Sequence, residues 1–238
     1  MNSWQRNTET FAKEPALLQR ITEPSYREAL GLGTEVREEY HFLARGEYNE
    51  NFVFTHPETG KNYVLRVNHG SQMQLERQIS YEAHALKLLE KSGRTPKLYY
   101  CREKSGEPGI LVMDFLEGVA LDYAKDLKLG AEILADIHSL PYHREEDTGE
   151  DKLFYAKDSL PEMLSESARL QRVYELSPFM EDSVYSRLHA LWKKGVQEQE
   201  RGEKLLRQEE FCIINTEVNS GNFLINGEGK KNYLVDWE

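Results

Sequence analysis

The stretch "IINTEVNSGNFLINGEGKKNYLVDWE", residues 213–238, carries a polar loop between short apolar runs and then a glycine-containing turn between two more. Glu217 precedes Asn222 by five residues, and Asp236 follows after a strand signal, the turn "NGEGKKN" and a second strand signal. A carboxylate, an amide at +5 and a carboxylate beyond a hairpin form an order suited to phosphoryl transfer. One acid handles a hydroxyl proton while the amide and the second acid hold a hard divalent cation. Few protein oxygens are needed, because phosphates and water complete such a site. The plainer reading is a connecting loop whose Asn and Asp side chains cap turns.

Working outward, "EYHFLAR" (39–45), "NFVFTH" (51–56) and "NYVLRV" (62–67) are rich in β-branched and aromatic residues, and "PETGK" with Gly60 joins the last two. They predict a three-stranded meander. Further strands are expected near 97–101 and 109–115, and short ones near 211–214, 222–226 and 232–236. Residues 14–30 read as one helix stopped by Gly31 and Gly33. Residues 72–91 carry Leu75, Ile79, Glu82, Leu86 and Leu89 on one helical stripe. From about 122 to 210 the pattern is helical, with one long amphipathic helix over 182–208.

Glu82 is the anomaly on its stripe. A carboxylate between Ile79 and Leu86 either sits at the stripe's edge and reaches water, or is buried and needs a cation. Arg66, on the opposite face of its strand from Leu65 and Val67, is the nearest preceding partner. The loop "ARGEYNENF" (44–52) offers Gly46, Asn49 and Asn51, which permit a tight turn whose N–H groups could approach a phosphate, although turns of this composition commonly do nothing else.

Composition narrows the class. With 238 residues and 39% hydrophobic content the chain can bury a sizeable core. A formal charge of −11 argues against nucleic acid and is compatible with a cationic small molecule. Cys101 and Cys212 offer neither a disulfide framework nor metal spacing, as expected in a reducing cytoplasm. No apolar run approaches the roughly 20 residues that span a bilayer, so no membrane partner is expected.

Taken in order, "ARGEYNENFVF", "YVLRVNHG", "YEAHALKLLEKSGRTPKLYY", "GILVMDFLEGVAL", "LADIHSLP" and "NTEVNSGNFLI…YLVDWE" resemble the aminoglycoside phosphotransferase and choline kinase family of protein-kinase-like phosphotransferases, from about residue 38 to the end. The resemblance implies an α+β, two-lobe fold. A small antiparallel β-sheet lobe with one helix would occupy residues 1–116, of which 1–37 form a helical extension, and a mainly helical lobe would occupy 117–238. It implies ATP and Mg2+ as cofactors and, as acceptor, a small-molecule hydroxyl such as that of an aminoglycoside or a choline-like amino alcohol. Gly46 to Asn51, with Asn49 between, would cover the nucleotide phosphates. Arg66 stands at the phosphate-binding lysine position, and Glu82 is the helix glutamate that pairs with it. Met113 to Leu116 would link the lobes, with the backbone of Asp114 and Leu116 facing adenine. Asn222 and Asp236 would bind Mg2+, and Glu217 would be the catalytic base. His138 also matches a family position and reads as a packing residue.

Two departures from the family pattern stand out. Asn215-Thr216-Glu217 replaces His-x-Asp. Asn215 can still hydrogen-bond the loop backbone, but Glu217 shifts the carboxylate by about 1.5 Å, and a misplacement of about 1 Å can cost on the order of 100-fold in rate. In the family, further helices follow the "DW[DE]" segment, so a chain ending at Glu238 reads as lacking them. The alternative to a kinase is therefore a nucleotide-binding, non-catalytic protein or a truncated, inactive one.

Overall fold

The structure, a computed structural model, describes residues 15–70, 75, 77–104, 107–143, 145–153, 159–206, 211–215 and 217–237. The chain forms two compact units, Met1–Leu153 with Cys212–Glu238, and Phe154–Phe211.

Among the described residues the first unit has α1 (Pro15–Ile21) and α2 (Pro24–Leu30) where the periodicity suggested one helix. Pro24 lacks an N–H and its ring clashes with the preceding turn, so the chain breaks at Thr22–Glu23 and restarts with proline in the first turn. Gly31 ends α2 in the left-handed conformation, φ 67°. Strands β1 (Tyr40–Arg45), β2 (Asn49–Thr55) and β3 (Asn62–Asn68) form the meander. Helix α3 (Gln78–Leu89) crosses to β4 (Leu98–Lys104) and β5 (Glu107–Asp114), giving an antiparallel sheet in the order β1-β2-β3-β5-β4. Of the expected stripe, Leu75 precedes α3.

Strand alternation divides the core in two. Tyr63, Leu65, Val67, Ile110 and Val112 pack with Leu17, Ile21, Tyr26 and Leu30 of α1 and α2. Val64, Leu111 and Met113 pack with Ile79, Leu86 and Leu89 of α3. Arg66 shares the parity of Val64 and so emerges on the α3 side. Helix α3 comes close to the sheet because position 109 is glycine: a Cβ there would lie 2.8 Å from Ile79 Cγ1.

The α3-side core also contains Leu121, Leu129, Ile133 and Ile137, and Phe223, Leu234 and Trp237 near the C-terminus. For that reason residues 117–153 and 212–238 group with the sheet. Ile133 and Ile137 come from α4 (Leu127–His138), whose His138 is exposed rather than packed. Position 138 lies about 100° around the helix from Ile137.

Residues 211–214 form no strand. The later pair is reduced to β6 (Phe223–Leu224) and β7 (Tyr233–Leu234). Between them, buried Asn232 accepts the N–H groups of Asn226 and Gly227 at 2.6 and 3.2 Å and so closes the turn with a side chain. The second unit contains α5 (Ser159–Glu175) and α6 (Asp182–Leu206), pinned to each other by Trp192 Nε1 donating to the Leu164 carbonyl at 2.9 Å.

A buried polar knot fastens the N-terminal helices. Arg27 pairs with Glu38, whose side chain is 0% exposed, and donates to the Gly33 and Glu35 carbonyls, each at 2.7 Å. Tyr40 donates to Glu38 and meets Tyr26 at 2.9 Å, and burial raises both phenol pKa values. Replacing Arg27 with Ala strands a buried carboxylate, and should lower unfolding free energy in urea by about 3–5 kcal/mol. Arg37→Ala, at the exposed Arg37–Glu35 pair, should change it by less than about 1 kcal/mol.

Candidate active site

Arg66 is the centre of the site. Its Nη1 lies 2.6 Å from Glu82 Oε1 and 3.0 Å from Asp236 Oδ1, and its Nε donates to Asn51 Oδ1 at 3.1 Å. Strands β2 and β3, helix α3 and the segment after β7 thus meet on one guanidinium. The pairing with Glu82 follows the buried alternative read from the sequence: Glu82 is 1% exposed. Burial raises its pKa, Arg66 opposes that shift and Asp236 adds to it.

Asp236 holds a backbone φ of 68°, the one positive value at a non-glycine residue among those described. Such a conformation costs about 1–3 kcal/mol and persists where its surroundings over-determine it. They do so here. Arg66 takes the side chain, and Asn215 Nδ2 donates to the Asp236 carbonyl at 2.7 Å. The Oδ1 of Asn215 accepts the Glu217 N–H at 2.8 Å, so one buried amide ties the loop to Asp236. Asn222 is held at both ends: its Nδ2 donates to the Glu217 carbonyl at 2.9 Å, and its carbonyl accepts the Val235 N–H at 2.8 Å. With its nitrogen engaged, Asn222 Oδ1 is the end of the amide suited to a cation.

Two cavities meet at Arg66 and Asn51. The first, about 550 Å3, is lined by Leu43, Val64, Met113, Leu116 and Leu224. The second, about 480 Å3, is polar and is lined by Gly46, Asn49, Glu217, Asn222 and Asp236. All the predicted residues line one or both cavities except Glu82, which lies behind Arg66. Two of them are partly engaged elsewhere. The side-chain oxygen of Asn49 accepts from Asn68 at 2.7 Å, and its carbonyl accepts the Gly46 N–H at 2.8 Å, closing a short turn. The Asp114 carboxylate meets Lys61 at 2.7 Å and Tyr99 Oη at 3.0 Å, while its N–H donates to the Lys97 carbonyl at 3.0 Å. Any contact from Asp114 to a ligand would therefore use its carbonyl.

Sequence reasoning missed Asn51 as the orienter of Arg66, although Asn51 and Arg66 are cross-strand partners in the meander register. It also missed the Arg66–Asp236 pair, which joins residues 170 positions apart (236 − 66) and carries no local signal. Asn222 Oδ1 and the Asp236 carboxylate are hard oxygen donors flanking a polar cavity, a donor set that fits a cation sharing its shell with phosphate and water. Among the described residues no group of three or more His, Cys, Asp or Glu could hold a metal without such help.

A sheet lobe with one crossing helix, a buried Arg–Glu pair and an Asn/Asp loop at its edge define an α+β, protein-kinase-like two-lobe fold. The chain belongs to the phosphotransferase enzyme family, whose model matches residues 39–238. A search of curated protein sequences found no match. Among solved structures the chain resembles a Plasmodium vivax ethanolamine kinase, with TM-score 0.56 and 15% identity over 90% of this chain and 60% of that one. It also resembles a GDP complex of a mutant aminoglycoside 2′-phosphotransferase-IIIa, with TM-score 0.57 and 17% identity over 93% and 71%. A third is the apo form of a thermostable mutant of aminoglycoside phosphotransferase APH(4)-Ia, with TM-score 0.52 and 17% identity over 89% and 69%. The chain thus spans three fifths of the length of the ethanolamine kinase. At these identities the likeness is one of fold.

Asn215→Ala removes the side-chain bonds to the Asp236 carbonyl and from the Glu217 N–H and leaves the strained backbone less restrained. It should cost about 1–3 kcal/mol of stability by denaturant unfolding, whereas Asn219→Ala, which removes a single exposed turn bond to the Gly221 N–H, should cost less than about 1 kcal/mol.

Proposed function

We propose that this chain is a small-molecule kinase that moves the γ-phosphoryl group of ATP to a hydroxyl. The observation that carries this reading is Arg66, fixed by Glu82, Asp236 and Asn51 where an apolar cavity meets a polar one. In this reading residues 1–116 form the nucleotide lobe and 117–238 the helical lobe. Adenine enters the 550 Å3 cavity beside Met113 and the backbone of Asp114 and Leu116. The triphosphate runs past Arg66 beneath the Gly46–Asn49 turn. A guanidinium suits this position because its planar donors can serve a carboxylate and a phosphate together.

Asn222 Oδ1 and Asp236 would hold Mg2+, which when bound neutralises phosphate charge. The remaining chemistry falls to the chain's own residues. Arg66 stabilises charge on the phosphates, the turn excludes water from them, and Glu217 accepts the proton of the attacking hydroxyl. Catalysis is then mainly positioning and electrostatics. The excess of acidic residues favours a cationic acceptor, an amino alcohol or aminoglycoside, in keeping with the names of the solved relatives. A cytoplasmic location belongs to the same reading. Among the described residues no helix is long and apolar enough to cross a membrane.

A specific observation favours a second reading, nucleotide binding without transfer: Glu217 is exposed and one methylene longer than the family's aspartate. Calorimetry with Mg·ATP and phosphate transfer across an acceptor panel separate the two. On the kinase reading Mg·ATP binds, Glu217→Ala lowers turnover by about 100-fold or more, and Asp236→Asn weakens the Mg2+ dependence of binding. Binding with no turnover on any acceptor, gained only on Glu217→Asp, would establish the second reading.

A further inference from the structure

Helix α3 carries Glu82 towards Arg66, and it is gripped on its other side as well. His84, two residues on and about 200° around the helix, meets Asp147 Oδ1 through Nε2 at 2.6 Å. The Asp147 side chain is only 3% exposed, and it also accepts Tyr142 Oη at 2.6 Å and the Leu153 N–H at 3.0 Å. Burial opposes ionisation of this carboxyl, but the bonds from Tyr142, Leu153 and His84 outweigh it and keep its pKa below the usual value.

The same segment reaches α3 a second time. Arg77, at the start of the helix, pairs with Glu150 and lies 3.3 Å from Asp151. Arg77 and His84 are seven residues apart, so they share a face separated by about 10.5 Å along the axis. Glu150 and Asp151 follow Asp147 by three and four residues, a reach of at most about 10–14 Å, within which the chain bends at Gly149 and turns at Glu150–Asp151. The two ends of the stretch thus meet one face of α3, at His84 and at Arg77. Leu153 packs against the α3-side core and anchors its far end. The Arg77 side chain makes no capping bond to the helix, and Glu103 of β4 accepts the Ser80 N–H at 2.9 Å.

We propose that residues 145–153 are a strap that sets the position of α3, and that Asp147, acting through His84, is a positioning residue for Glu82 and hence for Arg66. The consequence for nucleotide affinity rests on the kinase reading above. The mechanical part does not.

The test uses the full chain with Asp147→Asn, Asp147→Ala and His84→Gln, each made in the native background and with Glu82→Gln. Amide hydrogen exchange is followed across Gln78–Leu89, and Mg·ATP affinity is measured by calorimetry. Exchange in α3 should accelerate about tenfold while β3 and β5 keep native protection. Affinity should fall about tenfold in the native background and not further beside Glu82→Gln, since both changes act on one contact. Unchanged α3 exchange in the folded variants, or an equal loss of affinity in both backgrounds, would overturn the proposal. If the native chain binds no Mg·ATP, the kinase reading fails and the exchange data alone still decide the strap. If Asp147→Ala does not fold, Asp147→Asn and His84→Gln carry the comparison.

Discussion

Arg66 is buried at 6% exposure, and its guanidinium is shared by two carboxylates and an amide. A buried cation without such partners would cost several kcal/mol, so its presence constrains everything near it. Strand β3 must present residue 66 to the α3 side, the helix must turn residue 82 inward, and the backbone at Asp236 must accept a left-handed conformation to bring its carboxylate near. Each demand falls on a different part of the chain.

How much of this was legible depended on range. The Arg66–Glu82 pair was legible only in part: the helical stripe left Glu82 either at its edge or buried, strand alternation put Arg66 on the face away from Leu65 and Val67, and the family resemblance was what joined the two. The meander was legible from local composition and the turn at Gly60. The break between α1 and α2 was present in the sequence as Pro24, but apolar spacing ran straight across it, and periodicity is blind to a missing N–H. The expected strand at 211–214 did not form: apolar content there names no pairing partner, and Phe211 and Ile214 are exposed. Contacts such as Asp147–His84, Glu103 with the α3 terminus, and Arg66–Asp236 join residues brought near only by the fold, and no window of sequence contains them.

The loop that departs from the family pattern keeps a closed set of bonds. Asparagine has both a donor and an acceptor on one short side chain, and Asn215 uses both, towards the Asp236 carbonyl and the Glu217 N–H. The first departure is therefore absorbed by the backbone around it. The second is different in kind. The N–H of Glu217 is tied down, while its side chain is exposed at the edge of the polar cavity, where its extra methylene has room to be taken up by rotation.

Gly109 touches none of these groups. Yet a Cβ at that position would fall 2.8 Å from Ile79 Cγ1 and 3.0 Å from Ile79 Cβ, and Ile79 lies three residues, less than one turn, before Glu82. The empty space on β5 therefore acts as a ruler that fixes the height of the helix above the sheet. Drift towards alanine at this residue would change the reach of a carboxylate it never contacts, so its tolerance to substitution should track that of Glu82 more closely than that of its own strand neighbours.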